Sequence, residues 1–293
     1  MTGPREALRS YVQFLHEHED VRHVRLSRTA KEGLARLTAK SKPQPVAPPP
    51  TVAAPRTSPP VATTIARSSM ATAPAVVPAA PLEITGSTKA EQLRHLAERA
   101  AACVKCPHLV ARRHTVVFGV GNPEAKLMFV GEAPGEEEDL QGEPFVGRAG
   151  QLLTKMIVAM GLTREQVYIG NIVKCRPDMP LGTSGNRKPT KQEMETCVPY
   201  LRAQIEVIKP LVLVALGATA IEGLLGPIGS IGSLRGKFHE FRGVPLMPTF
   251  HPSYLLRNQS NTEKRKVWED LLKVMERLEM PITDKQRAFF LAK

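Results

Sequence analysis

Long apolar runs are missing from this chain. None approaches the roughly 20 residues that cross a bilayer, so no transmembrane segment and no membrane partner is expected. The N-terminal stretch MTGPREALRSYVQF has no apolar core of the kind a secretion signal needs, and the chain is expected in the cytoplasm. Cysteine is scarce: four in 293 residues. In a reducing compartment these argue against two disulfides and for metal ligands or buried thiols. Acidic residues are outnumbered, 28 Asp and Glu against 40 Lys and Arg, for a formal net charge of +12. That balance favours a polyanionic partner such as nucleic acid, with an anionic membrane surface or plain solvated lysines as rival readings.

Composition divides the chain. Residues 1–41 carry Leu8, Tyr11, Val12 and Leu15 at helical spacing and read as a short basic helical element, either an arm for a partner or DNA or an idle basic extension. Residues 42–86 are rich in Pro, Ala, Ser and Thr with no aromatic residue. They read as a disordered linker, unable to bury enough apolar surface to offset ordering entropy. Residues 87–280 have globular texture, and residues 281–293 read as a tail. In the globular part, helices are expected at residues 89–102, 149–160, 190–208 and 263–278, with a short one at ATAIEGLL. Strands are expected at KLMFVG, VYIGNIV, LVLVALG and VPLMPTFHPS, the last running into a loop. Apolar strands alternating with helices give an α/β fold: a three-layer α/β/α domain on a short central parallel sheet.

Ligands of such sheets bind beyond the carboxyl ends of the strands. Three polar segments fall there. GEAPGEEEDLQGEPFVGRAG, residues 131–150, holds five glycines and six acids; GNIVKCRPDMP holds Asn171; TFHPSYLLR holds His251. Each has a plain structural reading: acids at the positive end of a helix dipole, glycines in a tight turn, a satisfied buried amide, a capping histidine. Their convergence on one sheet edge of a basic protein favours a site. Cys103 and Cys106 form a CxxC, Cys175 follows the second strand, and Cys197 lies on the next helix. Four thiolates suit zinc or a [4Fe–4S] cluster, and the spacing does not choose between them.

GEAPGEEEDLQGEPFVGRAGQLL, YIGNIVKCRP, GNRKPTKQEMETCVPYL and TFHPSYLLR together resemble the family 4 uracil-DNA glycosylases, the iron–sulfur branch of that superfamily. The resemblance runs from about Thr88 to Leu278. It implies an enzyme that flips uracil out of DNA and hydrolyses its N-glycosidic bond in base excision repair, leaving an abasic site. The loop from Gly131 through Ala133 would hold the base and the hydrolytic water. Phe145 would stack on the base, Asn171 would read its pyrimidine edge, and His251 would bond O2 as charge develops. Cys103, Cys106, Cys175 and Cys197 would carry a structural [4Fe–4S] cluster. Ser253, Leu256 and Arg257 would meet DNA, with Leu255 or Leu256 as the wedge and Arg257 on phosphate.

The first loop has Ala133 where better-studied branches place Asp or Asn, which moves the catalytic carboxylate to Glu132, with Glu138 as rival. Glu136, Glu137, Asp139 and Glu143 are expected to face solvent or favour a helix dipole. A branch that traps uracil-DNA covalently has a histidine-bearing insert before the last cysteine. LGTSGNRKPTKQE has none, which favours turnover. A monofunctional enzyme working as a monomer is expected. The alternative is a non-catalytic or trapping DNA-binding protein with a structural metal centre.

Overall fold

The computed structural model describes residues 82–177, 179 and 185–291. The helical element expected over residues 1–41, nearly all of the linker, and residues 178 and 180–184 lie outside them. Among the described residues a sheet of six strands has the order β1-β3-β2-β4-β6-β5. Its centre is parallel: β3 (Tyr168–Asn171), β2 (Leu127–Gly131), β4 (Val212–Leu216) and β6 (Val244–Thr249). Two short antiparallel strands that the sequence did not announce close its edges, β1 (Val120–Gly121) and β5 (His239–Phe241). β5 returns into β6 through Arg242 and Gly243, both at positive φ (52° and 82°), the backbone that a two-residue hairpin requires.

The apolar runs follow from burial on both faces. Side chains alternate across a strand. Met128 and Val130 of β2 therefore join one core with Leu213 and Ala215 of β4. Leu127 and Phe129 join the other with Val212, Val214 and Leu216. The first core is covered by α1 (Lys89–Ala101), α5 (Lys191–Ile208) and α6 (Ala218–Leu225). The second is covered by α4 (Arg148–Ala159) and α9 (Asn261–Arg277), with the shorter α8 (Pro252–Arg257) beside them. This is the three-layer arrangement expected. Thr88 caps α1 and Thr190 caps α5, each through a box closed by a glutamate three residues on.

Two segments set apart by composition pack on the domain. Leu82 and Ile84 lie against the first core, and Arg99 donates to the carbonyl of Glu83 at 2.7 Å. At the other end Trp268 donates through Nε1 to the carbonyl of Gln286 at 2.6 Å, and Gln286 donates to the carbonyl of Ala159 at 2.8 Å. Residues 281–291 are thus docked rather than a trailing tail. None of the helices described is long and apolar enough to cross a membrane.

Candidate active site

Strand register builds the floor of the site. Gly131, the last residue of β2, lies opposite Asn171, the last of β3. The pairing runs on past both strands, with Ile172 N–H donating to the Gly131 carbonyl at 3.0 Å and Val173 N–H to the Glu132 carbonyl at 3.1 Å. Only glycine fits at 131: a Cβ there would stand 2.4 Å from Asn171 Oδ1 and 2.5 Å from Phe145 Cζ. Asn171 is 2% exposed and its Oδ1 is buried without a hydrogen-bond partner. An orphaned buried acceptor is costly, by about 1–3 kcal/mol, and here it faces the cradle that Gly131 leaves open.

Glu138, the rival catalytic acid, is tied to the backbone of its own loop. Its carboxylate accepts from the N–H groups of Val146 and Gly147 at 3.0 Å and of Gly135 at 3.1 Å. It clamps the loop that carries Phe145. That residue is buried and has φ of 57°, a left-handed backbone that costs a non-glycine residue about 1–3 kcal/mol. Arg164 holds it from outside, donating to the carbonyls of Pro144 at 2.8 Å and Phe145 at 3.2 Å. Gly150 leaves room for the Phe145 carbonyl, 1.8 Å from where a Cβ would stand. Asp139, expected toward solvent or a helix dipole, stands in the first turn of its helix but is buried, binding the His114 backbone N–H and ring Nδ1, the latter at 2.9 Å. The other acids, Glu136, Glu137 and Glu143, are exposed as expected.

Glu132 follows Gly131 and is partly buried, with Ala133 packed beside the first core. Burial pushes the Glu132 carboxyl above its usual range, while the Thr219 hydroxyl and the Lys188 ammonium pull it back. Thr219 stands in the first turn of α6, and Lys188 precedes α5 and pairs with Glu222 at 2.7 Å. Asn186 closes on Gly135 from the same loop, 3.1 Å from where a Cβ would stand. Sequence reasoning gave no role to Thr219, Lys188, Asn186 or Arg164, because each lies well along the chain from the loop it serves, although Asn186 and Lys188 stand in the quoted GNRKPTKQEMETCVPYL motif.

His251 reaches the site from β6. Gly217 N–H donates to the Thr249 carbonyl at 2.9 Å; its φ is positive (89°), and a Cβ there would stand 3.0 Å from the His251 Cβ. His251 caps α8: its Nδ1 accepts from Ser253 N–H at 3.1 Å and lies 2.8 Å from Ser253 Oγ. With Nδ1 accepting, the neutral ring carries its proton on Nε2. Burial, and after it the charge of Arg257, lowers its pKa from 6.5 to about 4. The HPSYLLR segment expected as a loop is this helix, with Pro252 at its first position. Leu255 is buried at 4% and unavailable as a wedge; Leu256 is partly exposed and Arg257 exposed.

The cysteines lie to one side of this edge. Cys103 and Cys106 fall between α1 and α2 (Pro107–Val110), Cys175 follows β3, and Cys197 is on α5. None is in a disulfide. Among the described residues no three His, Cys, Asp or Glu side chains stand as a closed metal shell. The thiols nevertheless feel one another: burial first, then neighbouring cysteines, raise Cys106 and Cys175, and burial takes Cys197 to about 12. Arg113 donates to Cys175 Sγ and Lys174 N–H to Cys197 Sγ, both at 3.2 Å. Soft sulfur donors with N–H groups aimed at them suit a thiolate-bound centre.

The uracil DNA glycosylase superfamily matches residues 118–272. The chain is 49% identical to the type-4 uracil-DNA glycosylase of Thermotoga maritima over 188 residues, 64% of this chain and 94% of that protein. It is 41% identical to the one of Saccharolobus solfataricus over 203 residues, 66% and 90% of the two chains. The one of Sulfurisphaera tokodaii is 40% identical over 205 residues, 67% and 88%.

Proposed function

We propose that this chain, which belongs to the uracil-DNA glycosylase superfamily, reads uracil with Asn171, stacks it on Phe145 and releases it with His251 and Glu132. It is a DNA glycosylase, a hydrolase that removes uracil from DNA in repair and leaves an abasic site. Cleavage leaves positive charge on the sugar and negative charge on the base, so two ends need opposite stabilisation. The orphaned Oδ1 of Asn171 carries the proposal. The N3–H of uracil satisfies it; cytosine, with a lone pair at N3, leaves it unpaired. Phe145 holds the ring, and Nε2–H of a neutral His251 donates to O2 as charge builds there. A neutral donor shares its proton without having to lose it. Glu132, made more basic by burial, orients and deprotonates the attacking water or faces the cationic sugar.

Cys103, Cys106, Cys175 and Cys197 would hold a [4Fe–4S] cluster that ties the segment before β1 to β3 and α5; no step of excision runs through it. Leu256, Ser253 and Arg257, at the mouth beside His251, would meet the opened duplex. The enzyme acts as a monomer, and the basic segment 1–41 provides an arm for DNA or a repair or replication partner. The test is a glycosylase assay on U·G, U·A and single-stranded substrates with protein whose visible spectrum is recorded. Free uracil, an alkali-labile abasic site and no denaturation-resistant adduct are expected. Failure to release uracil sinks the reading, and a colourless, active, zinc-loaded protein sinks the cluster.

A further inference from the structure

Excision as described leaves a buried ammonium unused. Lys174 is 1% exposed, and among the described residues its ammonium meets no carboxylate. It donates instead to the backbone carbonyl of Asn171 at 3.0 Å and to Gln204 Oε1 at 2.5 Å, with the Phe118 ring 5.6 Å away. Gln204 cannot turn away, because its Nε2 donates to the Phe118 carbonyl and the Tyr168 hydroxyl, both at 3.0 Å. Burying an ammonium against neutral oxygens is costly; an apolar residue of similar length would fill the same space without that cost.

The placement of the two ends suggests what the charge does. Residues 171–173 are anchored on their N–H side to the end of β2 and the residue after it, through Ile172 to Gly131 and Val173 to Glu132. On the carbonyl side the anchor is the Lys174 ammonium. The Lys174 backbone N–H binds Cys197 Sγ. One residue thus grips the peptide of the uracil-reading amide with its side chain and a cysteine of the proposed cluster with its backbone. As thiolates of a bound cluster, those sulfurs would supply the counter-charge that the ammonium lacks nearby.

We propose that Lys174 is a positioning residue for Asn171: it fixes the Asn171 peptide from the cysteine side, so that an intact cysteine site sets the aim of the amide that reads uracil. This rests on the assignment of the uracil edge to Asn171, and the experiment separates the two. Lys174→Met, Asn171→Ala and the double variant are compared in single-turnover excision, inhibition by free uracil, affinity for abasic DNA, and iron per chain. Lys174→Met is expected to excise about 100-fold more slowly, to be inhibited correspondingly less by free uracil, and to keep its iron and its affinity for abasic DNA. In the Asn171→Ala background the same change should add less than about threefold, because the two residues act as a unit. Losses that multiply in the double variant, or a Lys174→Met enzyme with wild-type rate and uracil inhibition, overturn the positioning role. An Asn171→Ala enzyme with wild-type rate overturns the uracil-edge assignment itself. Should Lys174→Met lose its iron or fail to fold, Gln204→Met, which frees the ammonium from its other side, is read in the same cycle by the same criteria.

Discussion

The ring of Phe145 stands 5.6 Å from the imidazole of His251, tilted by 32°. The proposed stacking surface and the proposed donor to the leaving base are therefore set against each other before any substrate arrives. Gly131 holds this spacing from below, since its missing Cβ is what leaves room for the Phe145 ring and Asn171 Oδ1. Gly131→Ala should slow single-turnover excision by about 100-fold, as a misplacement near 1 Å does. Its melting temperature should fall as well, since overpacking of this kind costs about 1–3 kcal/mol. A variant with wild-type rate would show that the cradle is not where the base sits.

The carboxylates of the first loop divide by what they bind. Glu132→Gln should lower excision by about 10²–10⁴-fold, the usual contribution of a positioned acid or base. Glu138→Gln should act on stability, because an amide replaces a carboxylate that accepts three backbone N–H groups. That loss is about 1–3 kcal/mol, read as a lower melting temperature with a smaller loss of rate than Glu132→Gln. The reverse ranking in rate would make Glu138 the catalytic group.

His251 gives a pH signature with a definite sign. Its folded pKa of about 4 lies below the ordinary 6.5, so between those values the unfolded chain binds the proton and the folded one does not. Stability from this residue is fully present above pH 6.5 and is lost as pH falls toward 4. The loss is at most about 3 kcal/mol. A His251→Asn variant, which keeps a capping side chain, should show a flatter acid limb of melting temperature than wild type. Its excision should be slower by about 100-fold at every pH, while the wild-type rate shows no step near pH 6.5. Such a step would mean that the ring titrates while working.

Much of this was legible along the chain. Apolar runs announced the four central strands because both faces of a parallel sheet are covered, and the register that pairs Gly131 with Asn171 then brought two quoted motifs together. What the chain concealed was direction and distance. Glu138 and Asp139 are neighbours of Glu132 in composition, yet the turn of α3 (Glu136–Gln141) sends both into backbone hydrogen bonds. Leu255 and Leu256 are interchangeable in a string of letters, and only the helix face buries the first. Arg164 and Thr219 reach the site across the fold, and no local pattern marks them.

The same blindness applies to a buried pair behind His251, which carries the last expectation. Arg235 grips Asp270 through two hydrogen bonds, at 3.0 and 2.9 Å, and the Thr249 hydroxyl donates to the same carboxylate at 2.7 Å. Asp270 has no solvent exposure. The Arg235 guanidinium also lies 5.7 Å from the Phe250 ring, which stacks on Tyr254 at 4.6 Å. Residues 249 and 250, immediately before His251, are thus fixed from α9 and from α7 (Ile231–Leu234), whose C-cap is Arg235. Arg235→Met leaves Asp270 buried with the Thr249 hydroxyl as its side-chain donor, and stranding such a charge costs about 3–5 kcal/mol. A melting temperature lower by roughly 10 °C is the expected consequence for a domain of this size. At a temperature where the variant is still folded, excision should also drop by about tenfold, since a loosened Phe250 lets His251 drift from its aim. A stability loss with no loss of rate would leave the pair a fastener of the sheet and remove it from the catalytic support of His251.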